Sequence, residues 1–246
     1  GGAITASGTI AIDSTVATLA GTQTFTNKTY TSPKINENVA VTSTATELNL
    51  LDGATVVIPG KVAGTNFTNS LIVGHSTTGT LNDAQKNTAV GLSSMTSITS
   101  GDQNTVIGSF AGQSLTTGGS NTFIGVTAGQ NGTTHNANTY VGNGSGTNAT
   151  GSNSTGLGYN SLKENTGTFN IAIGLDAGDN ITSGDGNIII GSVDAASATG
   201  DRQLLIAGND GSTTTTWISG DSNGQVKLVS GYIAEVALTD ASTITW

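Results

Sequence analysis

The side chains of this chain that could do chemistry are few, and they do not assemble into a set. His75 directly follows Val73-Gly74, and His135 stands in the loop Thr133-Thr134-His135-Asn136. A histidine metal site needs several imidazoles converging on one ion, and each of these stands alone, so both read as solvated loop histidines. Asp176, Asp179, Asp185 and Asp194 cluster late in the chain. Oxygen-rich loops of that kind suit calcium, but the Gly-Gly-x-Gly-x-Asp calcium repeat is absent, and solvated corners explain the acids as well. Glycoside hydrolysis needs two carboxylates roughly 5–10 Å apart; between Lys86 and Lys163 the single acid is Asp102. No Gly-Lys-Ser/Thr phosphate loop is present, nor a GxGxxG set between a strand and a helix. The aromatic residues that might stack on a sugar, Phe110, Phe123, Tyr140, Tyr159 and Phe169, are dispersed. The sequence therefore assigns no catalytic, cofactor-binding or metal-ligating residue, and the expectation is a protein that is not an enzyme.

What would position such residues is a repeat. Nine glycines each close a short apolar run: Gly74, Gly91, Gly108, Gly125, Gly142, Gly158, Gly174, Gly191 and Gly208, at intervals of 17, 17, 17, 17, 16, 16, 17 and 17 residues. That period is too short for a helical hairpin and suits one turn of a β-solenoid. The fold expected is all-β, a fibrous β-solenoid or β-roll of about nine turns of 16–17 residues.

Aligned on the glycine, the columns have distinct chemistry. Four residues before it stand Asn87, Asn104, Asn121, Asn138, Asn170 and Asn187, with Ser70, Ser154 and Leu204 at the remaining turns. Stacked asparagines can hydrogen-bond from turn to turn as a ladder. The residue just before the glycine is apolar in all nine turns, from Val73 to Ala207, and reads as a buried stripe. The residue two before it runs Ile72, Ala89, Val106, Phe123, Tyr140, Gly156, Ala172, Ile189 and Ile206. Neighbouring strand residues point to opposite faces, so both faces of each strand are largely apolar. One face would pack inside the turn and the other against a neighbouring chain, which makes Val106, Phe123, Tyr140 and Ile189 candidate interface residues of a homotrimer. A flat threonine array that binds ice is a weaker reading, because an apolar residue follows each threonine two positions on.

Composition supports a repetitive, weakly charged surface. The 246 residues include 36 glycines and 2 prolines, lack cysteine, and are only 9% charged, with a net charge of −9. Nucleic-acid binding needs Lys and Arg to displace counterions, yet no basic Lys or Arg lies between Lys86 and Lys163; neither nucleic acid nor an anionic membrane is an expected partner. No apolar run is long enough for a membrane helix. The chain lacks an initiator methionine and ends within Thr243-Ile244-Thr245-Trp246, which reads as an internal piece of a longer protein.

Three regions follow. Residues 1–60 form an N-terminal joint of short strands, in which Thr44-Ala45-Thr46-Glu47 reads as a capping box opening one short helix from Glu47 to Leu51. Residues 61–215 are the solenoid shaft. Residues 216–246 begin a following β module, with Asp221-Ser222-Asn223-Gly224 as a hairpin turn.

The phrases Thr26-Asn27-Lys28-Thr29-Tyr30-Thr31-Ser32-Pro33-Lys34-Ile35 and Thr44 to Gly53 (TATELNLLDG) resemble segments of phage tail fibres of the marine and cyanobacterial type. The Asn-Thr-x-Ile-Gly repeats resemble modules of the same fibres and are also similar to the head repeats of trimeric autotransporter adhesins. The stretch from Ala198 to Gln225 again resembles fibre connectors. The resemblance implies a homotrimeric structural shaft on the virion, extracellular, joined to other tail or baseplate proteins. It implies that the host-cell receptor is reached through a distal domain, and it carries over no catalytic residue. The alternative it leaves open is the head or stalk of a bacterial trimeric adhesin.

Overall fold

The computed structural model describes residues 59–229. The expected helix at Glu47–Leu51, the rest of the N-terminal joint and the strands expected beyond Val229 lie outside the described residues.

The repeat Asn-Thr-x-Ile/Val-Gly gives each turn a strand of only three residues, with β-branched residues at its ends as strands prefer. A short entry hairpin precedes the stack, β1 (Gly60–Gly64) and β2 (Phe67–Val73), with a two-residue strand β3 (Ala84–Gln85) beside β2. Then come β4 (Thr88–Val90), β5 (Thr105–Ile107), β6 (Thr122–Ile124), β7 (Thr139–Val141), β8 (Thr155–Leu157), β9 (Ile171–Ile173), β10 (Ile188–Ile190) and β11 (Leu204–Asn209). From β2 through β4 to β11 these strands pair in parallel, in sequence order and without crossover. β12 (Thr214–Gly220) and β13 (Val226–Leu228) return antiparallel beyond β11. A hairpin thus covers each end of the stack, which blunts the two open edges a solenoid would otherwise offer to another strand.

Nine stacked strands bound eight turns, one fewer than the glycine count suggests. At about 4.8 Å per strand the stack rises about 38 Å. The last turn is also one residue shorter than the spacing implies. Ile188, Ile189 and Ile190 pair with Leu204, Leu205 and Ile206, so Ala207, not Gly208, occupies the ninth glycine slot and Gln203 occupies the ninth ladder position.

The inside of the turn is built by compensation. Each strand from β4 to β10 buries its middle residue, and β2 buries Ile72 at the matching position: Ile72, Ala89, Val106, Phe123, Tyr140, Ala172 and Ile189 are wholly inaccessible. The slot six residues later is bare opposite the two aromatic middle residues and filled at two of the turns with a small one, while Ala172 is paired with the equally small Gly178. Phe123 is matched by Gly129, whose added Cβ would lie 2.7 Å from the Phe123 ring, and Tyr140 by Gly146, whose Cβ would also strike the ring. Ala89 is matched by Met95, and Gly156 by Leu162, both fully buried. Met95 and Leu162 hold left-handed backbone, φ 53° and 52°, where neighbouring turns place glycine. The strain of such a conformation is on the order of 1 kcal/mol or more, and the complete burial of both side chains in the turn offsets it.

Each repeat glycine serves the stacking itself. Gly125 has φ +140°, and a Cβ there would meet the Gly142 carbonyl. Close approach of successive backbones, together with a conformation L-residues avoid, explains the column.

Candidate functional site

The Asn column forms a continuous internal ladder. The Asn87 side-chain carbonyl accepts the backbone N–H of Asn104 at 3.0 Å and its amide at 3.0 Å. Asn104 does the same for Asn121, at 3.0 and 2.9 Å. Asn121 then accepts from the Asn138 N–H at 3.0 Å, and Asn138 from the Ser154 N–H at 2.8 Å. The amides of Asn87, Asn104, Asn121, Asn138 and Asn170 also reach across the turn to a corner carbonyl, as Asn87 does to Gly101 at 2.7 Å and Asn121 to His135 at 2.9 Å, whereas the buried Asn187 amide nitrogen has no partner. Where serine interrupts the column, Asn165 supplies the missing amide: it donates to Ser154 Oγ at 3.3 Å and accepts from Asn170 at 2.8 Å. Asn170 continues to Asn187, and Gln203 closes the ladder on Asn187 through both its N–H and its side-chain amide. All six asparagines are buried, so the ladder is a structural spine, with no solvent-facing group to offer a ligand.

Val106, Phe123, Tyr140 and Ile189, expected at an interface between chains, are instead interior to the single chain, each at 0% exposure. They fill the turn, with the Phe123 and Tyr140 rings stacked at 5.5 Å between centroids. The stripe just before the glycine, expected to be buried, is the outer one. Val90, Ile107, Ile124, Leu157 and Ile173 are 38–46% exposed, and the threonines two residues earlier share their side of the strand. The strand's parity is thus the reverse of the expectation.

His135 is the second departure. It is buried, not solvated. It stands where neighbouring turns have the corner glycines Gly118 and Gly151, while Gly132 stands where they have Leu115 and Ala149. The two positions have exchanged roles: the imidazole folds into the space above Gly132, and a Cβ on Gly132 would strike it. The ring lies edge-on to Phe123 at 5.2 Å, and its Nδ1 is 3.2 Å from the Ala149 carbonyl. Burial pulls its pKa down to about 4, against the opposing hydrogen bond to Ala149, so it is neutral at physiological pH. Its Nε2 and the Tyr140 hydroxyl have no hydrogen-bond partner. His75 is engaged locally, with Nε2 2.6 Å from the Ser94 carbonyl and Nδ1 accepting from the Thr77 N–H at 3.1 Å.

The late aspartates divide in two. Asp185 is a corner cap: it accepts from the Thr168 N–H at 2.6 Å, and its own N–H donates to Asp201 at 2.9 Å. Asp176, Asp179 and Asp194 line a shallow recess with Ser192, Val193 and Thr214. Partial burial, then the Asp194 carboxyl, pushes Asp179 up to about 6. Among the described residues no three His, Asp or Glu side chains come together as a group that could hold a metal ion. A second open recess lies at the β11–β12 hairpin, where the half-exposed Trp217 indole covers Gly208.

The candidate surface is therefore the outer face of the stacked sheet. Its two lanes are Leu71, Thr88, Thr105, Thr122, Thr139, Thr155, Ile171, Ile188 and Leu204, and Val73, Val90, Ile107, Ile124, Val141, Leu157, Ile173, Ile190 and Ile206. Exposed Leu92, Val126, Tyr159 and Leu175 stand one residue beyond the repeat glycines. The signal for this arrangement was in the sequence, as the inverse sizes at Phe123/Gly129, Tyr140/Gly146, Ala89/Met95 and Gly156/Leu162. Comparison with family models, curated proteins and solved structures finds no match. No helix among the described residues is long and apolar enough to cross a membrane.

Proposed function

We propose that this chain is a shaft segment of a homotrimeric viral tail fibre, a structural part that supports host-cell attachment. The observation that carries the reading is the unbroken stack, in which eight turns share one sheet and one internal ladder. Such an array sets a length and a stiffness, and it repeats one surface where a receptor site would need a unique one. The fibre-like phrases at both ends of the repeat region support a virion setting over a bacterial adhesin. The segment works without catalysis or cofactor, joins tail or baseplate proteins, and leaves receptor reading to a distal domain.

Immunogold labelling with antibodies to residues 61–215 tests this. Decoration along tail fibres of purified particles is expected. Decoration of a bacterial surface, with particles unlabelled, would show the adhesin reading to be the right one.

A further inference from the structure

We infer that the outer face of the stacked sheet is where a second copy of this chain docks, through the threonine–isoleucine lane and the valine–isoleucine lane side by side. The inference rests on the trimeric reading above and replaces its interface, since the residues first expected there are interior.

Four observations favour a copy of the same chain over another partner. First, neither lane holds a charged residue. The acids gather at corners, as Asp102 and Asp185 do, so the face presents nothing to a charged surface. Second, it is continuous. Nine strands at about 4.8 Å, each about 10 Å long, rule a face of roughly 400 Å² in projection, with Leu92, Val126, Tyr159 and Leu175 beside it in four of the turns. That is one contiguous patch of a few hundred Å², about half of the ~800 Å² that a standard interface takes from each partner.

Third, the lanes are uniform where the interior is not. The buried column runs from Gly156 to Tyr140 in size, yet in the middle of the stack the lanes outside it hold Thr88, Thr105, Thr122, Thr139 and Thr155, then Val90, Ile107, Ile124, Val141 and Leu157. Solvent does not require uniform height from turn to turn. A partner ruled at the same rise does, because one misfitting rung would lift its neighbours out of contact. Fourth, the partner certain to have that rise is another copy, whose β-branched ridges fit the grooves between these. The corner threonines Thr99, Thr116, Thr166 and Thr182 use their hydroxyls on the next turn's carbonyl, whereas the lane threonines stand exposed or half-buried on the outer face.

The test uses the full 246-residue chain. Sedimentation equilibrium at micromolar concentration should give a trimer for the parent. The double variant Ile107→Lys/Ile124→Lys should give monomer, or at least a tenfold weaker association, with an unchanged circular dichroism spectrum. A folded double variant that keeps the parental mass would overturn this interface while leaving the trimer standing. A parental monomer would overturn both. Should the double variant fail to fold, Ile124→Cys in this cysteine-free chain decides. Its maleimide labelling should be at least tenfold slower than that of Asn131→Cys, an exposed corner control, and dilution should abolish the difference. Equal rates in the undiluted oligomer would overturn the proposal.

Discussion

The two faces of each strand obey opposite rules. Inside, the middle residue ranges from glycine to tyrosine and is wholly buried. Outside, the flanking residues hardly vary in the middle turns and stand about two-fifths exposed. Variability and burial are usually opposed; here they coincide because a large middle residue is met by a bare opposite slot, as Phe123 is by Gly129 and Tyr140 by Gly146. Neighbouring turns share the remaining volume, since Phe123 stacks on Tyr140 and meets the edge of His135. The outer lanes have no partner within the turn to absorb a change. A solenoid can thus be irregular where it is dense and regular where it is bare.

The sharpest way to break that contrast is to change one residue on each face of the same strand. Tyr140→Ala should lower unfolding stability in urea by about 4 kcal/mol, as the loss of a buried aromatic does, because Gly146 offers nothing to refill the space. Val141→Thr, one residue on and outside, keeps its shape and should change the fold of the chain by less than about 1 kcal/mol. Equal midpoints would mean that the inner column is not the core. Tyr140→Phe should be mild, since the hydroxyl has no partner to lose.

How far the sequence discloses this can be judged from those same residues. The period, the strand positions and the Asn ladder follow from spacing, because hydrogen-bonded stacking requires the same chemistry at every rise. The orientation of the strand does not follow from spacing. A three-residue strand with apolar residues on both faces has no polar alternation to mark its parity, and uniform Val73 to Ile190 looks more like a core than a mixture of Ala89, Phe123 and Gly156. Reading sizes in pairs six residues apart settles the parity where hydropathy cannot. The last turn hides its register for a related reason: Gly208 keeps the glycine spacing, but Ala207 keeps the ladder, since only that register lets Gln203 reach Asn187. The His135–Gly132 exchange hides because it moves a corner glycine by three residues while leaving composition unchanged.

That exchange gives the next effect in size. His135 has an ordinary value near 6.5 when unfolded and about 4 when folded, so the unfolded chain binds the proton more tightly. Stability should be full above pH 6.5 and fall as pH drops toward 4, by about 3 kcal/mol in all. Urea titrations across that range check it, with His135→Leu as the reference. The leucine variant should lose this part of the acid sensitivity and keep the neutral-pH stability, because the side chain fills the same hole above Gly132. A parent and variant with parallel pH profiles would mean that the imidazole is hydrated in the fold.

The ladder comes after that. Asn121→Leu strands the Asn138 N–H and the His135 carbonyl inside the turn, and each unsatisfied buried group carries a penalty of about 1–3 kcal/mol. Asn131→Leu removes only an exposed amide contact, 2.7 Å from Asn148, which water replaces. Thermal melts should separate the two variants clearly, and coincident melting temperatures would take the ladder out of the account of stability.

The smallest effect lies at the surface, and its sign is opposite to that of the histidine. Partial burial, the Asp194 carboxyl and the Asp176 charge all hold the Asp179 proton on, with Lys163 opposing them, so its value rises to about 6 from about 3.8. The folded chain therefore binds this proton more tightly than the unfolded one. The group favours folding at low pH, and that advantage is lost as pH rises from about 4 through about 6. Asp179→Asn keeps the shape and removes the charge, so it should raise the melting temperature slightly at pH 7 and leave it unchanged at pH 3.5. A drop at pH 7 would mean that the ionised carboxylate is stabilised in the fold, with the Lys163 charge outweighing burial and the neighbouring acids.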